Sequence, residues 1–361
     1  MKFALTDDQK MLQESVNGYL GTASDLDAVR KAAAGEDGAA SAISSGLAEL
    51  GVGGILISKA HDGLGLGLLD AALVQEALGA RVAPAAHLGN AMAAIAISAA
   101  GTEAQKAEWL PKLAAGSVHF GIAASEHVGA REAAGVTASD GKLNGKALFA
   151  LDAEVASHLV VTDRTGALHI VDVRADGTER ADMRAVDRTR RFTEVIFSNT
   201  AAIHLSGENE PGRAADEMIS AGRLLLAADT LGAAQAMLDK AVAYAADRKQ
   251  FGRAIGSFQA IKHMCAEMAA QIEPARALVW QAAHAFDRGA DDAALLVCLA
   301  KSHLAEVGTF VARTSTEVHG GMGFTDLVGL HFWFKRIGAN RQLLGGPERV
   351  REHAARLQGW A

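Results

Sequence analysis

Apolar positions recur at helical spacing over most of the chain, with one stretch of shorter period in the middle. Met11, Leu12, Val16, Tyr19 and Leu20 form the first stripe. Ahead of it, Thr6-Asp7-Asp8-Gln9 reads as a capping box, with Thr6 as N-cap and Gln9 three residues on. Residues 21–40 are small, charged and broken by glycine, which predicts a loop and a weak helix. Leu47 to Ile57 predicts a helix and its exit. Residues 68–80, 88–100 and 104–113 predict three more, with Gly89 and Gly101 near their ends. From Phe120 to Leu205 the alternation shortens. His158 to Thr162, Leu168 to Val173 and Phe192 to Phe197 predict strands, and Asp140-Gly141 and Thr165-Gly166 predict hairpin turns. From Glu208 to about residue 356 the helical period returns. The pattern predicts an α+β chain with an N-terminal helical domain (1–117), a middle β domain (118–206) and a C-terminal helical bundle (207–361).

One stretch of the last segment carries more than periodicity. Leu238, Val242 and Ala245 make one helical face, and Ile261, Met264, Cys265 and Met268 make another. Between them, Arg248-Lys249-Gln250-Phe251-Gly252-Arg253 sets two cations, an amide and an aromatic ring around a glycine. An arginine fork suits a phosphate or pyrophosphate, because it donates two parallel hydrogen bonds. The residues alone fit a solvated helix end equally well, or an interface salt bridge to an acid on a neighbour.

Composition removes several classes. The formal charge of −7 is mixed in sign along 361 residues, with no basic block, which argues against nucleic acid. No apolar run reads as long and clean enough to span a bilayer. The opening MKFALTDDQK turns polar within a few residues, unlike a secretory leader. Cys265 and Cys298 sit in apolar helical patterns and read as reduced core residues of a cytoplasmic protein. The histidines show no zinc-type spacing. The glycine-rich His61 to Gly67 lacks the strand and the Gly-Lys-Ser/Thr of a phosphate loop.

Arg248, Gln250, Phe251, Gly252, Ile255, Phe258 and Gln259 resemble the R-x-Q-F-G-x-x-I-x-x-F-Q stretch of the acyl-CoA dehydrogenase family. Glu317-Val318-His319-Gly320-Gly321-Met322-Gly323-Phe324 resembles a second family stretch, in the expected order and separation. Gln105, Trp109, Leu110, Pro111 and Leu113 resemble a third, and His61 to Gly67 looks like the family's turn before its third helix. The resemblance covers essentially the whole chain. It implies N-terminal helices, a middle β-barrel or sandwich and a C-terminal four-helix bundle. It also implies that Arg248, Gln250, Phe251, Glu317, Gly320, Gly321 and Gly323 reach across a subunit interface. There they would hold the adenosine-diphosphate end of FAD bound by a neighbour. Glu317 departs from the glutamine usual at its position.

In that family a glutamate removes the α-proton of an acyl-CoA thioester, and a hydride leaves the β-carbon for flavin N5. A carboxylate suits that task when a water-poor site raises its pKa. The resemblance puts the glutamate at either of two positions, and here they hold Leu344 and Gly222. Arg223, the arginine that follows the second position, is kept. The flavin-binding turn aligns with Ser125-Glu126-His127-Val128-Gly129-Ala130-Arg131-Glu132, altered at His127 and Arg131. The tryptophan and threonine that flank the flavin ring become Phe149 and Leu151.

Three readings follow. The first is the non-catalytic subunit of a heteromeric α2β2 dehydrogenase. It would complete a catalytic partner's FAD site, with an acyl-CoA substrate such as a steroid side-chain thioester and an electron-transferring flavoprotein as acceptor. The second is a self-sufficient homo-oligomeric dehydrogenase whose base is Glu348 or Glu217. The third is a flavin-free scaffold on the same fold.

Overall fold

The computed structural model describes residues 4–36, 38–124, 134–207, 210 and 212–360. Six helices open the chain: α1 (Asp7–Ala23), α2 (Leu26–Ala34), α3 (Ala39–Glu49), α4 (Leu68–Arg81), α5 (His87–Ala100) and α6 (Glu103–Ala114). Thr6 caps α1 as its sequence requires: its hydroxyl accepts from the Gln9 amide and the Gln9 side chain accepts from the Thr6 amide. Residues 21–40 hold the short helix expected there. Asp25 caps α2 through the Ala28 amide, and Gly35 closes it at φ 85°.

Eight strands follow: β1 (Phe120–Ala123), β2 (Gly135–Ser139), β3 (Lys142–Leu151), β4 (His158–Thr162), β5 (Leu168–Asp172), β6 (Thr178–Met183), β7 (Phe192–Ala201) and β8 (Ile203–His204). They form one mixed sheet in the order β6-β7-β3-β1-β4-β5-β8, with β2 on β3. β1 and β4 run parallel, and the other pairs are antiparallel. Asp140-Gly141 joins β2 to β3 and Thr165-Gly166 lies between β4 and β5, as predicted.

Helices then resume with α7 (Arg213–Asp247), a short hairpin of β9 (Lys249–Gln250) and β10 (Arg253–Ala254), α8 (Gln259–Asp287), α9 (Ala293–His319), α10 (Leu330–Gln342) and α11 (Pro347–Leu357). Residues Ala293–Phe324, α9 and the turn after it, are long and apolar enough by composition to cross a membrane, which corrects the sequence expectation. Alanine and valine raise its hydropathy, and α8, α10 and α11 pack around it as they would around any core helix. Cys298 is buried in α9, whereas Cys265 on α8 is only half-buried. The expectation of two core cysteines holds for the first alone.

The chain divides into two compact units. One comprises Met1–Ala39, Ala72–Pro84 and Arg223–Ala361. In it α4 crosses α7 at backbone contact: a Cβ on Gly232 would lie 1.8 Å from the Glu76 carbonyl oxygen. A buried polar cluster spans that crossing. Asp229, fully buried on α7, accepts from Gln75 Nε2 (2.7 Å), Asn340 Nδ2 (2.6 Å) and Arg336 Nη1 (3.3 Å). Burial of a carboxylate is tolerable only with such partners.

The other unit comprises Ala40–Ala71 and Ala85–Gly222. The β core is built from Leu143, Leu159, Val161, Val195 and Phe197, all at most 2% exposed. At the start of α5, His87 is buried with no hydrogen-bond partner at Nε2, and burial pushes its pKa down to about 4. The unfolded chain takes up this proton below about pH 6.5, whereas the folded one resists until about pH 4. Stability is therefore full above pH 6.5 and falls by about 3 kcal/mol as pH drops to 4. Thermal unfolding at pH 7, 5.5 and 4 measures this, and His87→Leu should flatten that acid limb.

Candidate functional site

The first family-like stretch sits at the end of α7. The Arg248 amide still donates to the Tyr244 carbonyl (2.8 Å), after which the chain reverses. Lys249 pairs with Ala254 and Gln250 with Arg253, leaving Phe251 and Gly252 as the turn. Both have positive φ, 53° and 78°, which is the primed turn that a two-residue hairpin loop prefers. That geometry is easy for Gly252 and strained for a phenylalanine. The Phe251 ring is nevertheless 92% exposed. Arg253 is occupied, its guanidinium 4.0 Å above the Phe258 ring. Arg248 is exposed, and no carboxylate pairs with it among the described residues. Gln250 is exposed too, its amide nitrogen donating to the Lys249 carbonyl.

The second stretch sits at the end of α9. Gly320 closes that helix at φ 56° and ψ −138°, a conformation that only glycine holds without strain. A Cβ at Gly320 or Gly321 would meet no atom within 4 Å, so this backbone stands bare to solvent. Gly323 differs: its Cβ would lie 2.7 Å from the Thr316 carbonyl oxygen, so its role in this chain is close packing. Glu317 is on the exposed side of the last turn.

Side chains bring the two stretches together. The Tyr244 ring stacks on His319, centroids 4.5 Å apart and planes 26° from parallel. His319 is buried, its Nδ1 hydrogen-bonds the Ser315 carbonyl (2.8 Å), and burial holds its pKa below the usual imidazole value. Ser315 donates to the Met237 carbonyl on α7 (2.8 Å). An exposed arginine, an amide, an aromatic ring and unobstructed glycine backbone thus share one end of the helical unit. That donor set suits the two phosphates and adjoining base of a dinucleotide, with Asp247 and Glu317 as the exposed acids of the two stretches. Tyr244 lies one turn before Arg248, in the last turn of α7, a spacing visible in the sequence.

The two glutamate positions hold no acid, and their backbone is tied down. Leu344 is buried at φ 55°, and its carbonyl accepts from Arg223 Nε (2.8 Å). Arg223 Nη1 lies 3.0 Å from His353 Nδ1 and 3.9 Å from Cys298 Sγ. Burial raises the Cys298 thiol pKa, against a smaller pull from the guanidinium. Gly222, the residue before Arg223, is buried in α7. Glu348 lies in the first turn of α11, largely exposed and 3.5 Å from Arg341. It is a helix-start carboxylate in water beside a cation. Glu217 is half-buried on α7 and Asp216 exposed.

In the β unit, the segment Ser125 to Glu132 lies outside the described residues. Phe149 occupies a bulge of β3 at φ 55°, and its ring meets Phe192 edge-on at 6.4 Å. Leu151 is 2% exposed and can offer no hydrogen bond from its side chain.

Residues 6–117 match the sequence profile of the acyl-CoA dehydrogenase N-terminal domain, and residues 212–357 that of the C-terminal domain. The chain is 30% identical to acyl-CoA dehydrogenase IpdE2 of Mycobacterium tuberculosis, over 95% of each chain. Among solved structures it resembles a variant of the Tcur3481–Tcur3483 steroid ACAD (26% identity, TM-score 0.88, 98% of each chain). It also shares the fold of the ChsE4–ChsE5 complex from Mycobacterium tuberculosis (22% identity, TM-score 0.90, 100% of each chain).

Proposed function

The chain belongs to the acyl-CoA dehydrogenase family, and on that premise we propose that it is the non-catalytic subunit of a heteromeric, α2β2 member. The family is FAD-dependent, and bound FAD would accept a hydride from the β-carbon of the acyl-CoA. Arg248 and Gln250 would donate to the diphosphate of FAD seated on the catalytic partner. Phe251 would pack against its adenosine end, and the bare backbone at Gly320 and Gly321 would let the phosphates approach. Glu317 and Gly323 flank this contact. The partner would supply the glutamate that takes the α-proton.

One observation carries the reading: both glutamate positions lack a carboxylate, while the face offered to a neighbour keeps its donors. Support for an unlike partner comes from the two-component names of the Tcur3481–Tcur3483 and ChsE4–ChsE5 relatives. The first is a steroid ACAD, and a steroid-CoA thioester is the substrate class we assign. The enzyme would work in the cytoplasm and pass electrons to an electron-transferring flavoprotein.

The test is Glu348→Gln, paired with the same change at the partner's glutamate that aligns with Leu344 or Gly222. Turnover should be unchanged by Glu348→Gln, and the Tm should move by less than about 0.5 kcal/mol equivalent, as for an exposed side chain. The partner's change should abolish turnover. If Glu348→Gln or Glu217→Gln abolishes it instead, this chain carries its own base.

A further inference from the structure

We propose that the Tyr244–His319 stack is a positioning joint, which sets the spacing between the Arg248 hairpin and the Gly320–Gly321 backbone and so determines how tightly the assembled enzyme retains FAD. The inference rests on the FAD-fork reading above and adds to it two residues that touch no phosphate.

The geometry runs as a chain of short links. Tyr244 is four residues before Arg248, whose amide it accepts at 2.8 Å, so moving Tyr244 moves the root of the hairpin. His319 is bonded to Gly320, so its tilt sets the direction in which the bare backbone faces. The stack joins the two at 4.5 Å. One turn back on α9 and two on α7, the Ser315–Met237 bond pins the helices a second time. Two ties along one helix pair fix both sliding and rotation, whereas one tie would leave a pivot.

Each half of the stack is itself held. His319 donates from Nδ1 to the Ser315 carbonyl, which fixes its tautomer and ring plane. Burial disfavours a charged imidazole at His319, against the pull of its Ser315 bond, and Lys240, one turn before Tyr244, adds to the effect of burial. The Ser315 bond thus holds the imidazole ring against the phenol ring. A diphosphate contacted from both hairpin and glycine turn needs the two at one separation, and a shift of about 1 Å in such a pair weakens both contacts.

The experiment compares complexes of the catalytic partner with this chain as wild type, Tyr244→Ala, Tyr244→Leu and Tyr244→Phe. The readout is flavin fluorescence released on dilution, with Tm of each complex as the folding control. Tyr244→Ala and Tyr244→Leu should release FAD about tenfold more readily, with Tyr244→Phe restoring wild-type retention because it keeps the ring. Tyr244→Leu keeps apolar volume, so it reports on the stack even if Tyr244→Ala folds poorly. Equal retention in all four overturns the joint and leaves the FAD fork standing. Equal loss in Tyr244→Phe also overturns it, since the hydroxyl would then be the active part. A wild-type complex without FAD overturns the fork itself and the joint with it.

Discussion

Replacing Arg248 with alanine should strip FAD from the assembled enzyme while leaving this chain folded. The guanidinium is exposed and carries no carboxylate among the described residues, so its removal costs the fold little, within about 0.5 kcal/mol. In the complex it would donate to a diphosphate through charge-assisted bonds, each contributing about 1.5–3 kcal/mol. Losing one or two predicts FAD bound about 10- to 10,000-fold more weakly. The ratio of flavin absorbance to protein after gel filtration measures the effect. Unchanged FAD content would remove Arg248 from the cofactor site and leave the interface salt bridge as its role. The subunit dissociation constant of Arg248→Ala would then be the quantity to rise.

The second large effect is on stability. Asp229→Ala should destabilise the helical unit by about 3–5 kcal/mol, because it leaves the Arg336 guanidinium buried without its carboxylate. Asn340 and Gln75 lose an acceptor in the same step. At about 2–4 °C per kcal/mol for a unit of this size, the Tm should fall by about 6–20 °C. Circular dichroism at 222 nm follows it. A fall of under about 1 °C would mean that water or a neighbouring carbonyl replaces Asp229, and that the cluster at the α4–α7 crossing contributes little.

How much of this was legible in the sequence varies with the range of the interaction. Thr6-Asp7-Asp8-Gln9 specifies α1 through contacts three residues apart, and that cap formed as read. Residues 21–40 read only as a loop and a weak helix because Asp25 and Gly35 cap a helix of nine residues, too short to show a full stripe. The membrane-compatible composition of α9 was missed because its charged residues are spread along the helix and break the apolar run by eye. For the site, the residue types in both stretches were visible, and so was the loss of acid at Leu344 and Gly222. Three things were not. The stack of Tyr244 on His319 joins residues 75 apart. The bond from Arg223 to the Leu344 carbonyl spans 121 residues. Gly323 faces inward while Gly320 and Gly321 face water. Each depends on how α7 packs on α9 and the segment after α10, which no local pattern encodes.

On this reading the chain completes a flavin site on another subunit and has no working site of its own. Flavin absorbance at 450 nm tests it most directly, measured on the chain purified alone and again after co-expression with the product of an adjacent dehydrogenase-like gene. The account predicts a colourless chain that enters a yellow complex holding one FAD per pair of subunits. A lone chain that is yellow, binds one FAD per subunit and oxidises acyl-CoA would contradict it.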